Sequence, residues 1–306
     1  MSSLIKTIFP IVFLLGTGIL FKKKNVMSEP QIDGLKFVAM NLFLPVVLFR
    51  TFLTTNYSWN ILNYLWIMFP ICLAMLGIGY IITHKFNDEK ISMFMMTGFE
   101  MGMLGYPLYS FLFGNESLGY MALIDFGHSI FMFSTYFVLL NIQSGQGGIK
   151  WSVISTIKSP FFIAFVSGLL LGVVGVGKLL ASTIIMDCLN GIYSIFSQAL
   201  SATILISLGY GIKIDKRIVG NSIRFVMVRL IIVVFFGTIA IYLSTLFFGT
   251  NRSLIISLLI TFILPPTYTV SAYVKDSNQL SLVSTFSSIY TLITIALYIL
   301  ICCFAL

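Results

Sequence analysis

Glu100, Asp125 and His128 are the residues of this chain whose types and spacing could do chemistry. Each is an ionisable side chain inside a long apolar run, where a charge at the centre of a membrane helix costs roughly 2.5 to 3.5 kcal/mol and marks a function or a partner. Glu100 falls about nine residues into its run and Asp125 about eight into the next, so both lie about 12 to 13 Å from the nearer end at 1.5 Å per residue. A short turn at Gly114-Asn115-Glu116 joins the two runs. The two carboxyls are therefore expected to be neighbours holding one proton between them, which is a proton-coupling device or, with added backbone carbonyls, a sodium site. His128 follows Asp125 by three residues on the same helical face, either as a relay or as a hydrogen-bond partner for a buried acid.

The elements that must position these groups are membrane helices. Of 306 residues, 58% are hydrophobic and 9% are charged, against roughly a quarter charged in a soluble domain. Apolar runs near 4–21, 31–53, 60–83, 91–113, 117–142, 158–176, 184–211, 221–247, 253–274 and 280–304 predict ten membrane-spanning helices. The first is expected to be a retained span, because Lys22-Lys23-Lys24 follows its apolar core and no small-x-small cleavage site appears. The net charge of +8 is spread over loops, which speaks against a nucleic-acid partner and leaves no room for a soluble catalytic domain. Cys72, Cys188, Cys302 and Cys303 lie in apolar runs, so neither a disulfide framework nor a metal is expected, and no cofactor is implied.

The longest polar connection divides the chain into a first five-helix repeat, 1–143, a linker, 144–157, and a second repeat, 158–306. Five is odd, so the two repeats are expected to be inverted relative to each other. Fourteen of the eighteen Lys and Arg residues fall on the side holding the loops after the odd-numbered spans. That bias predicts a multi-pass cell-membrane protein with those loops and the linker cytoplasmic and both termini outside. Spans four and nine occupy equivalent places in the two repeats and both carry helix breakers, Gly98, Gly102, Gly105 and Pro107 in one and Pro265-Pro266 in the other. A helix restarting after such a break presents free N–H groups that favour an anion. The substrate-binding candidates are Asn41, Gly102, Gly105, Pro107, Pro265, Pro266 and Thr267, with Thr269, Ser207, Ser284, Ser287 and Ser288 expected on the same cavity. Arg50, Arg224 and Arg229 are expected to anchor span ends at the membrane surface, and Asp187 and Lys275-Asp276 to sit at span ends as well.

Several segments in order resemble the auxin efflux carrier family of permeases. They are Asn41-Leu-Phe-Leu-Pro45-Val-Val-Leu-Phe49-Arg50, Gly102-Met-Leu-Gly105-Tyr-Pro107, Phe113-Gly114-Asn-Glu116 with Asp125 beyond it, Lys158-Ser-Pro160 through Gly168, Ile206-Ser-Leu-Gly209, and Pro265-Pro266. The resemblance covers nearly the whole chain. It implies a fold similar to sodium/proton antiporters and bile-acid symporters, with a scaffold part, a core part whose broken fourth and ninth helices cross, and alternating access. It also implies a small carboxylate as substrate, such as malate, malonate or auxin. Where the family often carries asparagine, this chain has Glu100, and a carboxyl can donate to a substrate carboxylate only when protonated. The expected function is thus a secondary transporter of a small organic anion, coupled to protons or sodium and surrounded by lipid, with the choice between monomer and homodimer left open. The rival readings are a cation/proton antiporter and a membrane-embedded ligand sensor. An intramembrane enzyme using Asp125 and His128 is not expected, for want of a nucleophile or a metal set.

Overall fold

The structure is a computed structural model that describes all residues except 1, 56–60, 87, 115–117, 146–149, 151–152, 155–156, 275 and 306, and whose side chains are further described outside 2–7, 61–64 and 272. The expected turn at Asn115-Glu116, the glycine-rich centre of the linker and Lys275 lie outside the described residues.

The chain runs through α1 (Ser2–Lys23), α2 (Glu29–Thr54), α3 (Ile61–Lys85), α4 (Ser92–Met95), α5 (Tyr106–Phe113), α6 (Gly119–Gln143), α7 (Pro160–Val173), α8 (Val176–Leu180), α9 (Ile184–Gly211), α10 (Val219–Phe248), α11 (Arg252–Ile263) and α12 (Ser277–Ala305). No strand occurs among the described residues. Helix starts follow local chemistry. The Ser28 amide donates to Gln31 Oε1 at 2.8 Å ahead of α2, Ser159 accepts from the Phe162 amide with Pro160 in the first turn of α7, and Asn251 accepts from the Leu254 amide at α11. Such caps satisfy amides that have no partner inside the helix.

Among the described residues, seven segments are long and apolar enough to cross a bilayer: Glu29–Thr54, Leu65–Lys85, Gly119–Gln143, Ile184–Gly211, Val219–Phe248, Arg252–Ser271 and Ser277–Ala305. The chain is accordingly an all-helical, multi-pass membrane protein. The remaining helical stretches are α1, the interrupted pair α4 and α5, and the pair α7 and α8, which is bent at Gly175 with φ 88°.

The helices sort into two packed bodies. In the first, α1 lies along α9 and α2 lies along α7 and α9. The approach is backbone to backbone. A β-carbon at Gly18 would collide with the Ile206 carbonyl oxygen, one at Gly209 with that of Leu15, one at Gly177 with that of Leu53, and one at Gly168 would lie 2.6 Å from that of Phe49. Small residues at these crossings let dispersion replace the hydrophobic drive that lipid cannot supply. Gly209→Val is expected to force α1 and α9 apart at a cost of about 1 to 3 kcal/mol, read as a lower thermal transition of the detergent-purified protein by size-exclusion chromatography. In the second body, α3 packs on α6 and α10, α10 on α11 and α12, and α11 on α6 and α12. The bodies meet chiefly where α9 touches the π turn Met101–Gly105 and where α2 touches α6.

Candidate functional site

The site begins with two interruptions in the second body. Between α4 and α5 the chain leaves the helix at 96–100, and Gly98 takes φ 71°, a conformation that favours glycine. It then re-enters through the π turn Met101–Gly105, and Pro107 stands in the first turn of α5, where its missing N–H costs nothing. After α11, Leu264, Pro265 and Pro266 are non-helical, and a 3₁₀ turn covers Tyr268–Tyr273. The Glu100 amide donates to the Pro265 carbonyl at 2.9 Å, so the two breaks cross at that point. Gly105 and Gly102 make the crossing tight. A β-carbon at Gly105 would lie 2.9 Å from Leu264 Cδ1, and one at Gly102 2.8 Å from Leu44 Cδ2 of the first body.

Charges of opposite sign hold the two ends of the breaks. Glu100, 4% exposed, accepts from the Met103 amide through Oε1 at 3.2 Å and from the Tyr268 amide through Oε2 at 2.7 Å. One carboxylate thereby receives the chain where it restarts on both sides of the crossing. The Thr267 hydroxyl lies beside the same carboxylate. On the opposite side Arg229, 0% exposed, donates through Nη1 to the Met95 and Thr97 carbonyls at 2.8 and 3.3 Å. Its Nη2 donates to the Gly98 and Leu264 carbonyls at 2.7 and 3.2 Å. The guanidinium thus takes the carbonyls where both helices stop, with the Phe99 and Tyr290 rings 5.5 and 5.1 Å from it. Negative charge at freed N–H groups and positive charge at freed carbonyls both stabilise interrupted helices.

This overturns the expectation for Arg229, which is no surface anchor. It sits in the third turn of α10 at the heart of the second body. Arg224 pairs with Asp88 instead of reaching for the membrane surface alone. Arg50 donates twice to Asn190 Oδ1, at 3.0 and 2.8 Å, with its guanidinium 4.4 Å from the Tyr193 ring, and so ties α2 to α9.

Asp125, 1% exposed, is saturated by donors. Tyr106 Oη donates to Oδ2 at 2.9 Å and Ser129 Oγ to Oδ1 at 3.0 Å. His128 Nδ1 lies 3.0 Å from Oδ1, while Nε2 lies 3.0 Å from the Phe99 amide. An amide can only donate, so Nε2 carries the lone pair and Nδ1 the proton, which then points at Asp125. The imidazole is a neutral bridge from α6 to the peptide before Glu100. Among the described residues no hydrogen bond joins Glu100 to Asp125, so the shared-proton pair expected from their spacing is corrected. The acids lie in one region, and His128 stands between them.

A cavity of about 1160 Å³ lies between the two bodies, and its lining includes Met103 and Tyr268, the residues whose amides hold Glu100. Ser277, Ser281, Ser284, Ser288 and Thr291 give it a hydroxyl stripe on one face of α12, and Lys22, Lys36 and Lys213 stand in its wall with Glu29, Asp33 and Asp215. Of the expected lining groups, Ser207, Thr269, Ser284, Ser287 and Ser288 face it. Asn41 does not. It is exposed and donates to the Phe37 carbonyl of its own helix, while its neighbour Met40 lines the wall. Gly102, Gly105, Pro107, Pro265, Pro266 and Thr267 belong to the crossing and its restarts and, unlike Met103, Tyr268 and Thr269 beside them, are not on the cavity lining. Asp187 is exposed in the first turn of α9, and Asp276 accepts from the Asn278 and Gln279 amides at the start of α12, as expected of span ends. The loop after α9 spans both bodies: the Lys213 amide donates to Ser288 Oγ, the Asp215 amide to Thr285 Oγ1, and Lys213 Nζ to Glu29 Oε1. Arg217 holds the Asp215 carboxyl well below the usual carboxylate range through side-chain and backbone hydrogen bonds. The Asp215 carboxyl, which accepts from Arg217 and from Ser281 on α12, is therefore ionised at neutral pH, and those bonds are lost only as pH falls toward that depressed value.

Fold and site together define an all-helical membrane protein with two broken helices crossing beneath a polar vestibule. No protein-family model matches the chain, and no curated protein matches it.

Proposed function

We propose that the chain is a secondary transporter of a small carboxylate, working by movement of its two bodies relative to each other. The observation that carries this reading is the crossing itself. Two interrupted helices, with Glu100 where they restart and Arg229 where they stop, lie beside a cavity bounded by both bodies, which Met103 and Tyr268 line. Broken helices meeting at the floor of an aqueous cavity are a recurrent way to expose backbone groups to a solute within a membrane.

The reading takes the chain as ten crossings in two inverted repeats. The packing supports that arrangement. Pairing α1 with α7 and α8, α2 with α9, α3 with α10, α4 and α5 with α11 and the 3₁₀ turn, and α6 with α12 turns the α1–α9 contact into the α7–α2 contact. The same exchange turns the α3–α6 contact into α10–α12, and the close glycine approaches at Gly209 and Gly168 fall on exchanged contacts. The bias of basic residues orients the vestibule mouth toward the cytoplasm, with both termini outside. The ordered segments around Pro45, Gly102–Pro107, Pro160 and Pro265 support a place near the auxin efflux carrier family, and with it a carboxylate as cargo.

Purified protein in proteoliposomes is expected to accumulate radiolabelled malonate or phenylacetate when an inward-directed pH gradient is imposed. Flux at the level of protein-free vesicles for short dicarboxylates and aromatic monocarboxylates alike would reject the reading. Binding of one of these acids without flux would instead identify a sensor.

A further inference from the structure

Glu100 already occupies the place that a carried carboxylate would need. Each of its oxygens accepts an amide from a different side of the crossing, Met103 at 3.2 Å and Tyr268 at 2.7 Å. Both of those residues line the cavity. On α9, beside the cavity, Ser207 Oγ is fully buried and has no hydrogen-bond partner among the described residues.

From this geometry we infer that Glu100 is a tethered competitor of the substrate, and that the coupling ion is a proton. The inference rests on the transporter reading above. A carboxylate substrate takes the Met103 and Tyr268 amides as Glu100 takes a proton from water and withdraws, so that binding of one carboxylate group is matched by uptake of one proton. The ionised acid needs both amides. Once protonated it has a hydroxyl to donate and can release them, and the arriving carboxylate restores the negative charge that the two chain restarts require.

The surroundings of Glu100 select a proton over sodium. Its hydrogen-bond partners are amide N–H groups with the Thr267 hydroxyl beside them, so both oxygens face donors. A hard cation needs several oxygens at close range, and donors aimed at the same point repel it. The other titratable or charged groups that face this carboxylate are few. From α6 come His128, neutral and fixed between Asp125 and the Phe99 amide, and Tyr136, whose hydroxyl is spent on the Phe94 carbonyl. From α10 comes Arg229, spent on four carbonyls. Tyr268 turns its own hydroxyl to Thr291 at 2.7 Å. From the first body, α2 presents Leu44 and α9 presents Ser207 and Leu208, none of them charged. Glu100 is thus the acid free to exchange its charge with that of a ligand.

The test uses the full-length detergent-purified protein in weakly buffered solution with a pH-indicator dye, titrated separately with malonate and phenylacetate in sodium and in choline salts. The expected result is about one proton taken up per anion bound, equal in both salts, with apparent affinity falling about tenfold per pH unit where Glu100 is ionised. Glu100→Gln is expected to bind the same anion with no proton uptake and no such pH dependence. The wild-type stoichiometry stands alone if that variant does not fold. Anion binding without proton uptake, or binding that requires sodium, overturns the inference and leaves the transporter reading intact. Absence of binding of either acid at any pH overturns both.

Discussion

Arg229→Met is expected to remove most of the folded protein. The substitution keeps a similar length of apolar stem but withdraws a charged donor from four carbonyls, those of Met95, Thr97, Gly98 and Leu264. These acceptors lie in a fully buried place, and removing one partner of a buried charged network costs about 3 to 5 kcal/mol. Whole-protein stability is of the order of 5 to 15 kcal/mol, so the loss is a large share of the total. The measurement is the fraction of protein that elutes as a single peak by fluorescence-detected size exclusion after mild heating. Arg229→Lys is expected to fall between the two, because one ammonium cannot fan out over carbonyls belonging to two separate helix ends. Wild-type behaviour of the methionine variant would remove Arg229 from its assigned place as the cap of both breaks.

Asp125 separates charge from hydrogen bonding. Asp125→Leu strands the Tyr106 hydroxyl, the Ser129 hydroxyl and the His128 Nδ1–H in an apolar interior. At about 1 to 3 kcal/mol for each buried donor left unmade, the expected loss is at least about 3 kcal/mol. Asp125→Asn behaves differently. Its carbonyl oxygen still accepts from His128 and Ser129, and the Tyr106 hydroxyl can rotate to accept from the new amide, so the expected loss is only about 1 to 2 kcal/mol. Thermal unfolding of the two variants beside the wild type checks the difference. Equal destabilisation by both would mean that the negative charge, and not the hydrogen-bond count, holds this cluster together.

The helical character, the two breaks and the ionisable residues were all legible from residue type. Apolar runs broken by short polar stretches leave only helices, and Pro265-Pro266 and Gly98 interrupt them, whereas Gly102 and Gly105, also expected as breakers, lie within the π turn that restarts the helix. Arg229 was misplaced for a physical reason. Counting basic residues by side assigns every arginine near a span end to the membrane surface, and only the third dimension shows that the third turn of α10 faces the two breaks. The signal that could have found it was the pairing of one deep cation with one deep anion, Glu100, since each interruption must expose both amides and carbonyls. Spacing likewise placed Asp125 near Glu100 but could not show that His128 would be locked between them by the Phe99 amide. Asn41 was chosen because it precedes Pro45 in a resembling motif, yet the π turn Ala39–Phe43 shifts the register of α2, and Met40 lines the cavity instead.

The sum of charges at the crossing bears on how such a carrier would be powered. With Glu100 and Asp125 ionised, Arg229 charged and the bridging His128 neutral, the crossing would carry one net negative charge in the proposed cycle. A monocarboxylate that replaces the Glu100 charge leaves that sum unchanged. An elementary charge moved through 100 mV is worth about 2.3 kcal/mol, but the loaded and empty forms carry the same charge across the field. The work that membrane voltage does on the loaded leg would then be cancelled on the empty return, and accumulation of a monocarboxylate would depend on the pH difference alone.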